Sequence, residues 1–204
     1  MEQSSKKEIV KKLHIEKDTT LTEESFKQVL KSGNDIASDK IQESDKVLVV
    51  DTTVIEIQRP SKSPNKFYSC KHKMFAVKVE TLTDLSVKIV KISNLYSGRE
   101  HDFKIRMNEL TIHLHVTSLG DLGYFGYEKI HKKTITPAKR KKNQKLSKEE
   151  KERNREISKQ RIVIEHVFAY MKRFKIIGSL YRDNLKKLHK IINIVAGIHN
   201  LNIK

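Results

Sequence analysis

The stretch Val47-Leu-Val-Val-Asp51-Thr52-Thr53 decides how the rest of the chain is read. Four apolar residues without polar alternation fit a strand covered on both faces, as in the middle of an α/β sheet. A carboxylate at the end of such a strand is placed where open sheets carry their chemistry. Two further acids come into question as its companions: Asp121, in Gly120-Asp-Leu-Gly-Tyr124, and Glu165, in Arg161-Ile-Val-Ile-Glu165-His166.

Working outward, Met74 to Val79 and Val87 to Ile92 have the length and β-branched content of strands, and the Thr81-Leu-Thr-Asp84 segment between them predicts a hairpin. Tyr96 to Asp102 reads as a turn into a short helix carrying Phe103, Ile105, Met107 and Leu110. Ile112 to Thr117 alternates cleanly and predicts a strand with Ile112, Leu114 and Val116 on one face. His113 and His115 would then share the other face. That spacing could suit a metal, but no Cys or further His stands nearby in a ligand pattern, so polar residues on a partly exposed face are the better reading.

Ser147 with Glu150 makes a capping-box spacing that opens a charged helix to about Gln160. From Gln160 onward, Ile164, Val167, Phe168 and Met171 fall on one helical face, which predicts packing on the sheet. Glu165 lies at the edge of that stripe, flanked by Arg161 and Lys172; taken alone, it reads more simply as an acid paired with Arg161 one turn back. Leu185, Leu188, Ile191, Ile192, Val195 and Ile198 predict a final packed helix.

The 204 residues are expected to divide into a short helical appendage over residues 1–45 and one domain over 46–204. Thr20 and Glu23 mark the start of the appendage's helix, Phe26, Val29 and Leu30 give its stripe, and Ser32 to Asp35 give its stop. Apolar residues make up 37% and charged residues 33%, enough for one core beneath a polar surface.

Lys and Arg number 42 against 25 Asp and Glu, a formal charge of +17 that points to a polyanion, with nucleic acid the leading candidate. Candidate DNA contacts are Arg59 in the proline-containing loop 58–66, the run Lys139, Arg140, Lys141 and Lys142, the helical Arg161, Lys172 and Arg173, and Arg182 beside Tyr181. Any one of these cations fits a solvated face about as well. The single cysteine, Cys70, excludes an internal disulfide and suits a reducing compartment, so a cytoplasmic, nucleoid-associated location is expected. No run approaches the roughly 20 apolar residues of a membrane span, and the start lacks a signal peptide's apolar segment.

The ordered motifs carry a resemblance. Val50-Asp-Thr52, Ile57-Gln-Arg-Pro60, Lys66-Phe-Tyr-Ser69, His101-Asp102, Asp121-Leu-Gly-Tyr124, Arg161 to His166 and Lys172-Arg-Phe-Lys175 together resemble insertion-sequence transposases of the DDE type, specifically the insertion-sequence-five family with its DDE superfamily endonuclease domain. The resemblance implies an α/β fold, an RNase H-like mixed sheet flanked by helices, with Asp51 on the first strand, Asp121 after the fourth and Glu165 on a late helix. It implies that these three acids are catalytic and hold Mg²⁺ or Mn²⁺, hard cations that prefer oxygen ligands, with His101 and Asp102 in support. The implied reaction is strand cleavage at the element's ends followed by strand transfer into target DNA, by a homo-oligomer on DNA. Such proteins carry a helical DNA-end-binding region ahead of the catalytic domain; some 45 residues are few for it, so a truncated chain that retains only DNA binding is the alternative. Cys70 and Phe125 stand where the family more often has Gly and Gln, which bears on the loops rather than the acids.

Overall fold

The computed structural model describes residues 47–109, 112–140 and 144–203, together with Glu24, Lys27, Gln28 and Lys31. The capping pair Thr20 and Glu23, the stripe Phe26, Val29 and Leu30, the stop at 32–35, and also Leu110, Lys141 and Lys142, lie outside the described residues.

The expected apolar strand is the N-terminal half of a longer one. Strand β1 runs over Val47–Glu56, with Leu48, Val49 and Val50 buried. It pairs antiparallel with β3, Met74–Thr83, from Val49 opposite Thr83 to Glu56 opposite Ala76. A short helix α1, Pro64–Phe67, and strand β2, Tyr68–Ser69, lie between them. The expected hairpin exists, but β3 continues through Thr83, and the reversal comes at Asp84, whose carboxylate accepts from the Ser86 and Lys88 amides before β4, Ile89–Ile92. Apolar content alone stopped the strand at Val79, because Glu80, Thr81 and Thr83 are polar; all three are buried.

β5, Tyr96–Ser97, pairs with β3 at the place read as a turn. Helix α2, Asp102–Asn108, follows and buries Ile105 and Arg106. The strand expected over 112–117 is not formed. Ile112 and Val116 are buried as anticipated, but Leu114 is 69% exposed and only Thr117–Leu119 is strand, β6. The intervening carbonyls find local partners instead of a ladder. His113 O accepts from Val116 N at 2.9 Å and lies 3.1 Å from His131 Nε2, while His115 O accepts from Lys133 Nζ at 2.9 Å.

β6 lies parallel to β1 over Val47–Val49, and β7, Thr134–Ile135, lies parallel to β6. The sheet order is β2-β3-β1-β6-β7, with β4 and β5 also paired to β3. Helix α3, Lys148–Arg173, is one continuous helix with no break at Gln160, opened by the Ser147 and Glu150 capping box. A single turn α4, Lys175–Gly178, leads to helix α5, Leu185–Asn202.

Helices α3 and α5 bury Val167, Met171, Leu188, Ile192 and Val195 against Ile55, Val77 and Val79 on one face of the sheet. Leu48, Val50, Leu82, Ile112, Val116 and Tyr124 form the core of the opposite face. Each such fully buried aliphatic side chain contributes about 1.5–3 kcal/mol. A mixed sheet whose antiparallel β3 and parallel β6 both border β1, flanked by helices, is the RNase H-like arrangement.

Candidate active site

The topology opens a cleft beside Asp51. β6 accompanies β1 only as far as Leu119, which lies opposite Val49, and then turns away through Gly120 and Asp121. Beyond that point that edge of β1 has no strand beside it until Tyr181 meets Glu56 and Ile57, while the other edge stays on β3. Splayed parallel strands leave a crevice outside their carboxyl ends, the common binding place in open α/β sheets. A cleft of about 660 Å³ occupies it here, lined by Asp51, Asp102, Asp121, His101, Lys78, Phe168 and Lys172 among others.

Asp51 is mostly buried, and four groups act on it. Its Oδ2 accepts from Arg161 Nη2 at 3.0 Å, across 110 residues of sequence. Its Oδ1 accepts from the Thr52 amide at 2.7 Å. Burial pushes its carboxyl up to about 6; Arg161 and the Thr52 N–H oppose the rise, and the Asp121 and Asp102 charges add to it. The site thus holds several acids close enough to repel one another.

Asp121 caps the single 3₁₀ turn Leu122–Tyr124, its Oδ1 accepting from Gly123 N at 2.7 Å. The turn-forming and site-forming readings of this residue are therefore compatible. Gly123 owes its identity to a close approach: a Cβ there would stand 2.8 Å from Asp121 Oδ1 and 3.0 Å from Asp102 Oδ2. Those two oxygens converge on one point, which brings Asp102 into the same carboxylate group. His101 is the exposed residue before α2 and lines the cleft.

Glu165 is exposed on α3. Residues 161, 165, 168 and 172 fall on one helical face; Arg161 reaches Asp51 on that face, and Phe168 and Lys172 line the cleft. The Arg161 and Glu165 pairing that helical spacing favoured is replaced by the pair between Arg161 and Asp51. Among the described residues, no three His, Cys, Asp or Glu side chains are gathered tightly enough to hold a metal ion. His113 and His115 stack on each other, with ring centroids 5.5 Å apart, outside any such group.

The remaining candidate DNA contacts spread over the surface. Lys172 stands in the cleft; Lys139 lies over the exposed Phe125 ring, 5.7 Å from its centroid, on the segment that follows Asp121; Arg140 is exposed nearby in sequence. Arg173 stacks on Tyr170. Arg59 and Arg182 share a second groove with Lys62 and Tyr181, where Tyr181 bridges to Ile57 beyond the end of β1.

Among the cleft residues to which sequence reasoning assigned no role are Thr52, which stood in the opening stretch, and Lys78. Lys78 carried a usable signal: a lone cation inside the apolar strand Met74 to Val79, where burial without a partner would be costly.

The sequence profile of the DDE superfamily endonuclease family matches residues 50–200, which include Asp51, Asp121 and Glu165. The chain belongs to this family. It is also 35% identical, over 167 residues, to a probable transposase for insertion sequence element IS702 from Microchaete diplosiphon. That match covers 79% of this chain and 59% of the relative, so the chain spans little more than half the relative's length. No solved structure matches. The family match and this relative agree in pointing to DDE chemistry. Among the described residues, no helix is long and apolar enough to cross a membrane.

Proposed function

We propose that this DDE-family chain cleaves DNA strands at insertion-sequence ends and transfers them to target DNA, using Asp51, Asp121 and Glu165 as its catalytic carboxylates. The observation that carries this reading is the convergence of Asp51 and Asp121 on one cleft beneath the α3 face that bears Glu165. The donor chemistry fits Mg²⁺ or Mn²⁺. The groups are all carboxylate oxygens; burial raises Asp51, the Asp121 and Asp102 charges add to the rise, and a divalent cation would offset both. Asp51 and Asp121 would hold the ion, with Glu165 joining from α3. Divalent cations bound there would supply charge stabilisation for the attacking and the leaving oxygen.

The chain's own groups account for the remainder. In cleavage, a water oxygen joins the phosphorus at the element's end and the 3′ oxygen departs as a hydroxyl. In transfer, that hydroxyl attacks a target phosphodiester and displaces its 3′ oxygen. Lys172 in the cleft supplies positive charge for the phosphates, Arg161 holds Asp51, and His101 and Asp102 support the site from the cleft wall. Lys139, Arg140, Arg173, Arg59 and Arg182 extend a basic surface along which DNA is held, and joining two element ends calls for at least two copies of the chain on DNA.

The test is incubation with Mn²⁺ and element-end DNA, comparing wild type with Asp51→Ala. Acid-dependent nicking is expected, lost by a factor of 1,000 or so in the variant, on the order of one essential catalytic group. A second reading, DNA binding without catalysis, draws on the exposed position of Glu165. It predicts DNA binding with no Mn²⁺-dependent cleavage in either protein.

A further inference from the structure

Asp51 and Thr52 are consecutive in a strand, so their side chains leave opposite faces of the sheet. Thr52 nevertheless contacts acids on both sides. Its amide reaches Asp51 Oδ1 at 2.7 Å on the edge of β1 that β6 leaves after Val49. Its Oγ1 donates to Asp102 Oδ1 at 2.7 Å on the other face. The same Asp102 oxygen accepts from Lys78 Nζ at 2.9 Å, and Lys78 also donates to the Glu100 carbonyl at 2.8 Å. Lys78 is only 15% exposed, a partly buried ammonium whose position is explained by these two acceptors.

We propose that Thr52, Lys78 and Asp102 form a clamp that positions Asp51, with the Thr52 hydroxyl as its centre. The inference rests on the metal-dependent reading given under Proposed function and adds to it residues that neither touch the phosphate nor hold the cation. Thr is stiff at χ1, so fixing its hydroxyl fixes the peptide whose N–H orients Asp51. Asp102 is the anchor for that hydroxyl. Lys78 neutralises the anchor, so that a further carboxylate can stand beside Asp51 and Asp121 without forcing them apart. Gly123 keeps the gap between Asp102 and Asp121 open, since any Cβ would fill it.

A clamp of this kind is an outer-shell device, and losing one such hydrogen bond characteristically costs 10–100-fold in metal affinity or activity. The measurement is Mn²⁺ binding to the purified full chain without DNA, followed by electron paramagnetic resonance of the free ion, with thermal unfolding of each variant alongside. Thr52→Val should weaken Mn²⁺ binding about 10-fold or more, while Thr52→Ser, which keeps the hydroxyl, should bind as wild type does. In an Asp102→Ala background, Thr52→Val should cost less than about twofold more, because its partner is already gone. Thr52→Ala removes the hydroxyl without setting a methyl against Asp102, and serves equally where the valine variant does not fold. Wild-type Mn²⁺ affinity in the folded Thr52 variants, or full additivity with Asp102→Ala, would overturn the clamp. Asp51→Ala in the same titration separates the two readings. If it alone loses binding, only the clamp falls; if it too binds as wild type does, the metal reading falls with the clamp.

Discussion

Glu80 stands directly opposite Thr52 in the β1 and β3 ladder and is completely buried. Its Oε2 accepts from Arg106 Nη1 at 2.6 Å, which ties α2, and hence Asp102, to the middle of the sheet. Burial pushes the Glu80 carboxyl up to about 7, with Arg106 opposing. The folded state therefore holds this proton more tightly than the unfolded chain. Its contribution to stability is fully present below about pH 4.5 and fades as pH rises through 7, by something on the order of 2 kcal/mol. Denaturant unfolding at pH 5 and pH 8 should show that decline in wild type and a shallower one in Glu80→Gln. Equal slopes would remove Glu80 as its source. Gly123→Ala bears on the site itself. Its Cβ would displace the Asp121 and Asp102 oxygens, so Mn²⁺-dependent cleavage should drop at least 10-fold while the melting temperature moves by only a few degrees. At this scale the sequence revealed the acids but not their partners. Asp51 ended an apolar run and Asp121 sat between glycines, both local signals. Arg161 with Asp51, and Thr52 with Asp102, meet across 110 and 50 residues, and no local spacing encodes such contacts.

Elements whose register is set by core burial were legible. β1 and the faces of α3 and α5 followed from runs or stripes of apolar residues, and the cap at Ser147 from two polar ones. Elements held by polar contacts were not. β3 passes through Glu80, Thr81 and Thr83, which read as a strand's end yet are buried; residues 112–116 alternate as a strand would, yet their carbonyls are taken by side chains and a turn. The element that matters most for the site is α3, which brings Arg161 to Asp51 and sets Phe168 and Lys172 in the cleft wall. Its seat there is Ile164, fully buried against Val49 and Leu119 on the two parallel strands. Ile164→Ala should cost about 2–5 kcal/mol, and Ile164→Val about 0.5–1.5 kcal/mol, by chemical denaturation. A loss well below 1 kcal/mol for the alanine variant would mean that α3 is not anchored at that point.

Across the whole molecule, the +17 charge has to be reconciled with a cleft full of acids. Repulsion keeps carboxylates and phosphates apart, so the surrounding cations must supply the attraction that brings DNA to the site. Lys172, exposed on α3, lines the cleft with the exposed Lys71 and Arg99, whereas Arg161 is committed to Asp51. Each phosphate neutralised contributes about −0.9 to the slope of log affinity against log salt on duplex DNA. Binding of duplex DNA in Ca²⁺, measured by fluorescence anisotropy from 50 to 300 mM salt, should therefore fall steeply, with a slope of about −4 or beyond. Lys172→Ala should flatten it by about 1 and weaken binding similarly on all sequences, as expected for a phosphate contact. Arg161→Met should leave the slope nearly unchanged, because its charge is already spent on Asp51. If Arg161→Met instead flattens the slope as much as Lys172→Ala does, Arg161 leaves Asp51 for a phosphate when DNA arrives, and the pair between them belongs to the free protein only.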